Sequence, residues 1–122
     1  IVLGVDIGGT KIAAALVDLE TGAVAHARRV PTDAAQGGRA VLARAVALGV
    51  EVASAAGTAP QRVGIGAGGQ IDPATGDVVH ATEILPGWTG QPLARAFADA
   101  FGVPAFADND VNALAEGELR FG

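Results

Sequence analysis

The first thirty residues have the apolar pattern of consecutive β-strands. Apolar runs cover residues 1–7 and 12–17, and Gly8-Gly9-Thr10-Lys11 separates them. Two short apolar runs joined by a glycine-rich turn are typical of a β-hairpin. A second turn at residues 19–22 precedes a third strand-like segment at residues 23–30. The sequence therefore predicts three sequential antiparallel strands.

After the third strand the apolar period becomes helical. Apolar side chains recur at helical spacing between Val41 and Ala56, with Arg44 and Glu51 on the other side, and Gly57 follows. This pattern predicts an amphipathic helix that ends at the glycine.

The second half of the chain is predicted to alternate strands and helices. In chain order, the pattern predicts a buried strand at residues 62–67, a turn at residues 72–76, a helix containing Leu93, Phe97 and Phe101, a strand at residues 103–107 and a helix that begins near Asp110. Three antiparallel strands followed by this alternation are the element order of a ribonuclease H-like α/β lobe, with a mixed five-stranded sheet and flanking helices. Helical crossovers allow the fourth and fifth strands to run parallel to the first.

Composition narrows the possible functions. The chain has 122 residues, 50% of them hydrophobic, which suits one folded α/β domain. The net charge is −5 and the eight Lys and Arg residues are scattered, so we expect no nucleic-acid binding by this segment. No apolar run reaches membrane-spanning length, and no cysteine is present for a disulfide or thiolate metal site. We expect a cytoplasmic protein without membrane contact.

The ends of the chain indicate a fragment. The first residue is Ile1 rather than Met, and the last residue, Gly122, comes directly after a predicted helix. We therefore expect residues 1–122 to be one lobe of a longer protein.

The first candidate for chemistry is the segment Asp6-Ile7-Gly8-Gly9-Thr10-Lys11. Glycines let backbone N–H groups approach an anion closely, while Thr10 adds a hydroxyl donor and Lys11 a cation. Asp6, at the end of the first strand, could hold Mg²⁺ directly or through water. The alternative is an ordinary hairpin turn, since the segment lacks the Walker A spacing.

The second candidate is Asp108-Asn109-Asp110-Val111-Asn112, between the fifth strand and the last predicted helix. Ligands of open α/β sheets bind at the carboxyl ends of strands. Phosphorylation of a hydroxyl needs a carboxylate to orient the hydroxyl and accept its proton. The alternative is a helix N-cap, a position for which Asp and Asn are favoured.

A third segment, Gly64-Ile65-Gly66-Ala67-Gly68-Gly69, has the spacing Gly-x-Gly-x-x-Gly. A dinucleotide-binding site would need a helix to begin there, but Gln70-Ile71-Asp72-Pro73 leads into a turn, so we reject that interpretation. A glycine loop beside a ligand cleft and plain backbone packing both stay open. Trp88, the only tryptophan, is interpreted as a packing anchor rather than a ligand platform.

Four motifs in this order resemble the ROK family of sugar kinases and related regulators. They are Asp6 to Lys11, then Gly68-Gly69 with Ile71-Asp72-Pro73, then Leu85-Pro86-Gly87-Trp88, and finally Asn109-Asp110-Val111-Asn112-Ala113. The resemblance covers nearly the whole chain. It implies the actin-like ATPase fold, in which two lobes close over sugar and ATP.

The resemblance also implies roles for individual residues. Those implied to bind the cofactor ATP are Gly8, Gly9, Thr10 and Lys11 at its phosphates and Asp6 at Mg²⁺. On the substrate side, Asp110 would be the catalytic base for the sugar hydroxyl and Asn109 would bond a neighbouring hydroxyl. Gly68 and Gly69 would lie along the sugar pocket.

Two positions differ from the usual family pattern, and both lie on the sugar side. Gly68 stands where the family loop usually has proline, and Ile84 stands where an asparagine is common. The family's second lobe carries the adenine site, further sugar ligands and a His/Cys zinc site. A structural zinc is therefore expected only in that missing C-terminal lobe.

Two functions follow from the resemblance. One is ATP-dependent phosphorylation of a hexose, either glucose or an N-acetylhexosamine. The alternative is a ROK transcriptional regulator, in which the same lobe senses sugar and an upstream helix-turn-helix binds DNA. The Asn109-Asp110 pair and the glycine loop favour the kinase, because a pure sensor needs no base. We expect the full-length protein to form homo-oligomers.

We predict that residues 1–122 alone have no measurable sugar kinase activity. Without a second lobe, bound sugar would be held on one side and open to water, and lobe closure could not assemble the site. A coupled assay of ATP turnover with and without glucose measures this. Glucose-dependent turnover by residues 1–122 would contradict the prediction.

Overall fold

The strands and helices follow the apolar pattern closely. The computed structural model describes residues 1–72, 74–80 and 86–108. The strands are β1 (Val2–Ile7), β2 (Lys11–Val17), β3 (Val24–Pro31), β4 (Val63–Ala67), β5 (Gln70–Ile71), β6 (Val78–His80) and β7 (Ala105–Asp108). The helices are α1 (Gly38–Ala56), α2 (Leu93–Phe101) and a short 3₁₀ helix (Ala34–Gln36). The helix predicted to begin near Asp110 lies outside the described residues.

Five of the strands form one mixed sheet in the order β3-β2-β1-β4-β7. Strand β1 is antiparallel to β2 and parallel to β4, and β4 is parallel to β7. The connections that contain α1 and α2 allow these parallel pairings, because a parallel neighbour cannot be reached by a tight turn. The predicted mixed five-stranded sheet with flanking helices is confirmed.

The hydrophobic core lies between this sheet and helices α1 and α2. Leu3, Val5 and Ile7 alternate along β1 and are buried in the core, and β4 is buried along its whole length. Phe97 of α2 is fully buried against them. Full burial of one such side chain contributes about 1.5–3 kcal/mol to folding. Asp6 alternates with Val5 and Ile7, so its carboxylate lies on the face of the sheet opposite the core.

Both helices end where a glycine takes the left-handed backbone conformation. Gly57 follows α1 with φ 63°, and its N–H donates to the carbonyl oxygens of Ala53 and Ser54. Gly102 follows α2 with φ 67°, and its N–H donates to the carbonyl oxygen of Ala98. These bonds satisfy carbonyl groups that the last helical turn leaves unpaired. In the part of the chain that the structure describes, no helix is long and apolar enough to cross a bilayer.

A small second sheet surrounds the turn predicted at residues 72–76. Strands β5 and β6 pair antiparallel on either side of this turn, an arrangement that the sequence pattern did not predict. A side-chain oxygen of Asp72 accepts the N–H of Ala74 at 2.9 Å, and Gly76 has φ 73°. The paired strands contain only two and three residues, too few to show a clear alternation of apolar and polar positions.

The start of α1 touches the backbone of the loop at residues 86–88. The N–H of Gly38 donates to the carbonyl oxygen of Pro86 at 2.6 Å. A Cβ atom at position 38 would lie 2.3 Å from the carbonyl oxygen of Gly87 and 2.9 Å from the Cα of Trp88. These neighbours are backbone atoms, which cannot rotate aside as a side chain can. Glycine at position 38 therefore allows α1 and this loop to meet.

Gly38→Ala is predicted to lower the free energy of unfolding by about 1–3 kcal/mol, because the added methyl group overlaps backbone atoms. Arg39→Ala is the control, since this neighbouring side chain is exposed and its loss should change stability by less than about 0.5 kcal/mol. Urea unfolding of the chain measures both changes. Equal stability of Gly38→Ala and the wild type would contradict the close approach.

Candidate functional site

The carboxyl ends of three parallel strands meet at one edge of the sheet. Gly66 of β4 is paired on one side with Asp6 of β1 and on the other with Asp108 of β7. Neighbouring strands lie about 4.8 Å apart, so two carboxylate-bearing residues flank one glycine in a single row across the sheet. One residue further along, Ile7 is paired with Ala67. The segments beginning at Gly8 and Gly68 therefore leave the sheet from adjacent positions.

The loop between β1 and β2 is a tight hairpin turn and also presents free donors. The N–H of Gly8 donates to the carbonyl oxygen of Lys11 at 2.9 Å. A Cβ atom at position 8 would lie 2.9 Å from that same oxygen, so the turn requires glycine there. Within the described residues, no group accepts a hydrogen bond from the N–H of Gly9 or Thr10. The hairpin interpretation of this loop, called the glycine loop below, is confirmed, and its anion-binding role stays a prediction.

Thr32 is hydrogen-bonded to the backbone of the glycine loop, a contact that sequence reasoning missed. Its side chain is fully buried, its hydroxyl donates to the carbonyl oxygen of Gly8 at 2.7 Å, and its N–H donates to the carbonyl oxygen of Thr10 at 2.9 Å. A single threonine after a strand has no spacing or repeat that would single it out.

Arg44 differs from its predicted position on the solvent side of α1. It is half-buried, and its guanidinium donates to the carbonyl oxygen of Thr32 and to the side-chain oxygen of Gln36. Helical spacing alone cannot reveal this, because the acceptor belongs to the segment that precedes the helix. Glu51 is exposed as predicted, and its carboxylate pairs with the guanidinium of Arg28.

Asp6 is a suitable oxygen ligand for Mg²⁺. Partial burial raises the pKa of its carboxyl, because removal of water disfavours the charged form. No other described residue forms a hydrogen bond or ion pair with this carboxylate. The described residues contain no group of three or more His, Cys, Asp or Glu side chains that could hold a metal ion. Mg²⁺ commonly takes one or two carboxylates and completes its shell with phosphate and water, so this single carboxylate fits a phosphate-bound ion.

The loop after β4 is held in place by Trp88. The indole Nε1–H of Trp88 donates to the carbonyl oxygen of Gly68 at 3.0 Å, and the ring is 1% exposed. The interpretation of Trp88 as a packing anchor is confirmed. Gly69 has φ 94°, which requires glycine, whereas a Cβ atom at position 68 would meet nothing within 4 Å. Sterics therefore do not explain glycine in place of the family's proline at position 68.

The Gly-x-Gly-x-x-Gly spacing does not form a dinucleotide site. Gly64 and Gly66 lie inside β4, and strand β5 follows the last glycine instead of a helix. Rejection of the dinucleotide interpretation is confirmed. Asn109 and Asp110 lie outside the described residues, so their roles stay predictions. Asp108, which directly precedes them, ends β7 at the same edge of the sheet as Asp6.

A domain model described as "ROK family" matches residues 2–122, and the chain belongs to this family. The chain is 39% identical over 120 residues to a protein named glucokinase from Streptomyces coelicolor. That match covers 98% of this chain and 36% of the relative. The chain thus spans about a third of the length of the curated relatives it matches.

A solved structure supports the same fold. A ROK family glucokinase from Streptomyces griseus, crystallised with glucose and AMPPNP, superimposes with a TM-score of 0.79 at 36% identity. The match covers 99% of this chain and 36% of that one. The fold is therefore that of the ROK sugar kinases, the actin-like ATPase fold that the resemblance implied.

A regulator also matches part of the chain. The protein named transcriptional regulator Mb0495 from Mycobacterium bovis is 40% identical over 60 residues, which cover 49% of this chain and 13% of the regulator. Membership of the family is thus compatible with either type of protein.

Asp6→Asn is predicted to raise the free energy of unfolding at pH 7. Because burial raises the pKa of Asp6, the folded chain binds its proton more tightly than the unfolded chain. The protonated form of Asp6 is therefore the one that favours folding. Its contribution is fully present below the ordinary pKa of 3.8 and is lost as pH rises through the raised pKa, so that at pH 7 the charged carboxylate lowers the stability. The stabilisation by Asn should therefore shrink as pH falls toward 3.8.

Urea unfolding at a series of pH values from the ordinary pKa of 3.8 up to neutrality measures this effect. Asp99→Asn is the control: it removes the same charge from an exposed position on α2 and so reports the effect of net charge alone. Equal stabilisation by the two variants at every pH would contradict the prediction.

Proposed function

We propose that this chain is the N-terminal lobe of a longer ROK sugar kinase, called the full-length protein below. The observation that carries this proposal is the glycine loop, whose Gly9 and Thr10 N–H groups are free of partners in the described part of the chain. These groups lie at the carboxyl end of β1, beside the ends of β4 and β7. Ligands of open α/β sheets bind at this position. The family and the glucokinase relatives support the same function.

In this proposal the glycine loop binds the ATP phosphates. The N–H groups of Gly9 and Thr10 donate to phosphate oxygens, and Gly8 lets the loop turn tightly enough to present them. Lys11 is exposed at the start of β2 and offers its ammonium group to the same oxygens. Asp6 holds Mg²⁺, which when bound neutralises charge on the phosphates.

The sugar is proposed to bind between the glycine loop and the Gly68-Gly69 loop. These two loops leave the sheet from adjacent strands. A sugar bound between them would have the hydroxyl that receives the phosphoryl group beside the terminal phosphate of ATP. Asn109 bonds one sugar hydroxyl, and Asp110 accepts the proton of the hydroxyl that is phosphorylated. A carboxylate of ordinary pKa is sufficient, because phosphoryl transfer has a loose transition state and depends mainly on positioning.

A second lobe is proposed to complete the site. It supplies the adenine pocket, the other sugar contacts and any structural zinc, and its closure excludes water. A hexose is the proposed substrate, either glucose or an N-acetylhexosamine. The glucokinase of Streptomyces griseus, which was crystallised with glucose, supports the first of these. We also propose a cytoplasmic location, where ATP is present, and a homo-oligomer.

A ROK transcriptional regulator is the second candidate, because Mb0495 from Mycobacterium bovis matches half of the chain. In a regulator the same lobe binds sugar, and an upstream helix-turn-helix binds DNA. Reading about one small domain's length of sequence upstream of Ile1 in the gene distinguishes the two candidates. A helix-turn-helix there favours the regulator, and its absence favours the kinase.

Asp110→Asn in the full-length protein is predicted to lower kcat by about 10²–10⁴-fold, the usual contribution of a general base. The amide keeps the shape of the carboxylate but accepts no proton, so sugar binding should survive. A coupled kinase assay measures kcat, and calorimetry measures sugar affinity. Asp99→Asn, on the exposed face of α2, is the control. A kcat near wild type in Asp110→Asn would remove Asp110 from the base role.

A further inference from the structure

Thr32 is the one buried polar or charged residue in the described part of the chain, with 0% of its surface exposed. A buried hydroxyl costs free energy unless it is hydrogen-bonded. All three polar groups of Thr32 have partners. The hydroxyl donates to the carbonyl oxygen of Gly8, the N–H donates to that of Thr10, and the carbonyl oxygen accepts from Arg44.

The bonds from Thr32 control the direction of amide groups in the glycine loop. A peptide unit is planar and trans, so its C=O and the N–H of the next residue point in opposite directions. The bond to the carbonyl oxygen of Gly8 therefore directs the N–H of Gly9 away from Thr32. In the same way, the bond to the carbonyl oxygen of Thr10 fixes the peptide unit that carries the N–H of Lys11. Rotation of either peptide would break a bond to a buried group.

Glycine makes this control necessary. Gly8 and Gly9 have access to more backbone conformations than any other residue, so the sequence of the loop does not select one orientation of its N–H groups. Donors that stabilise developing charge act best when their orientation is set before the ligand arrives. Two bonds from one buried residue hold the peptide units on either side of the Gly9–Thr10 peptide, and the first of them sets the orientation of the Gly9 N–H.

We propose that Thr32 is a positioning residue, which fixes the glycine loop in the conformation that receives the ATP phosphates. This inference rests on the proposed function of the loop. Arg44 supports Thr32 from α1, because its guanidinium holds the Thr32 carbonyl oxygen and the side chain of Gln36. The loop is thereby connected to a helix of 19 residues rather than to a mobile segment.

Thr32→Val tests the inference in the full-length protein. Valine keeps the shape of threonine but lacks the hydroxyl, whereas Thr32→Ser keeps the hydroxyl. We expect Thr32→Val to weaken ATP affinity and raise the KM for ATP by about 2- to 12-fold, the value of one hydrogen bond. The KM for sugar should stay unchanged, and Thr32→Ser should restore most of the ATP affinity. A general loss of stability would not separate the two substrates in this way.

Thr58→Val is the matched control. The Thr58 hydroxyl donates to the carbonyl oxygen of Ala56 at 3.3 Å, at the far end of α1. This variant removes the same group from a half-buried threonine outside the loop, so ATP affinity should not change. Arg44→Met gives a measurement that does not depend on the folding of Thr32→Val. It removes the support behind Thr32 and should weaken ATP binding by a smaller factor.

Calorimetric titration with ATP and steady-state kinetics distinguish the outcomes. Unchanged ATP affinity in both Thr32→Val and Arg44→Met, beside a wild type that binds ATP, would overturn the positioning role alone. Equal changes in the KM for ATP and for sugar would overturn it as well. A wild-type protein that binds sugar but no ATP would overturn the proposed function together with this inference.

Discussion

Strand β1 is hydrogen-bonded to a neighbour on each side, and the candidate site depends on this constraint. From Leu3 to Ile7 every residue is paired with both β2 and β4. Leu3, Val5 and Ile7 are also buried under the helices, so a shift of one residue would expose them and bury Asp6. The register therefore fixes the position of Asp6 in the sheet and the point at which the glycine loop begins. It also sets the Gly68 loop beside them, because β4 is paired in the same register.

Rigidity at this edge comes from buried side chains outside the glycine-rich segments. Two loops that flexible residues would otherwise leave mobile are each held at a glycine carbonyl oxygen. Thr32 donates to Gly8, and the indole of Trp88 donates to Gly68. The glycines therefore let a ligand approach the backbone closely, while these hydrogen bonds keep the two loops in place. The loop of Trp88 is in turn fixed against α1 by the contact of Gly38 with Gly87. Helix α1, which helps to bury the core, thus also supports the site.

The sequence predicted the long strands and helices and the hairpin turn at the glycine loop, because both depend on local patterns. Leu93, Phe97 and Phe101 repeat at helical spacing, and the glycine pair marks a turn wherever it occurs. It could not predict the role of Thr32, whose partners in the glycine loop lie more than twenty residues away, or the inward orientation of Arg44. Such contacts depend on how the third strand returns beside the second. The roles of Asn109 and Asp110 stay predictions.

The central claim is that the glycine loop receives phosphate through backbone N–H groups. A crystal structure of the full-length protein with Mg²⁺ and a non-hydrolysable ATP analogue tests it most directly. We predict phosphate oxygens at hydrogen-bond distance, about 2.7–3.2 Å, from the N–H groups of Gly9 and Thr10, with Thr32 still bonded to Gly8 and Thr10. Phosphates bound elsewhere, with these two N–H groups facing water, would contradict the account.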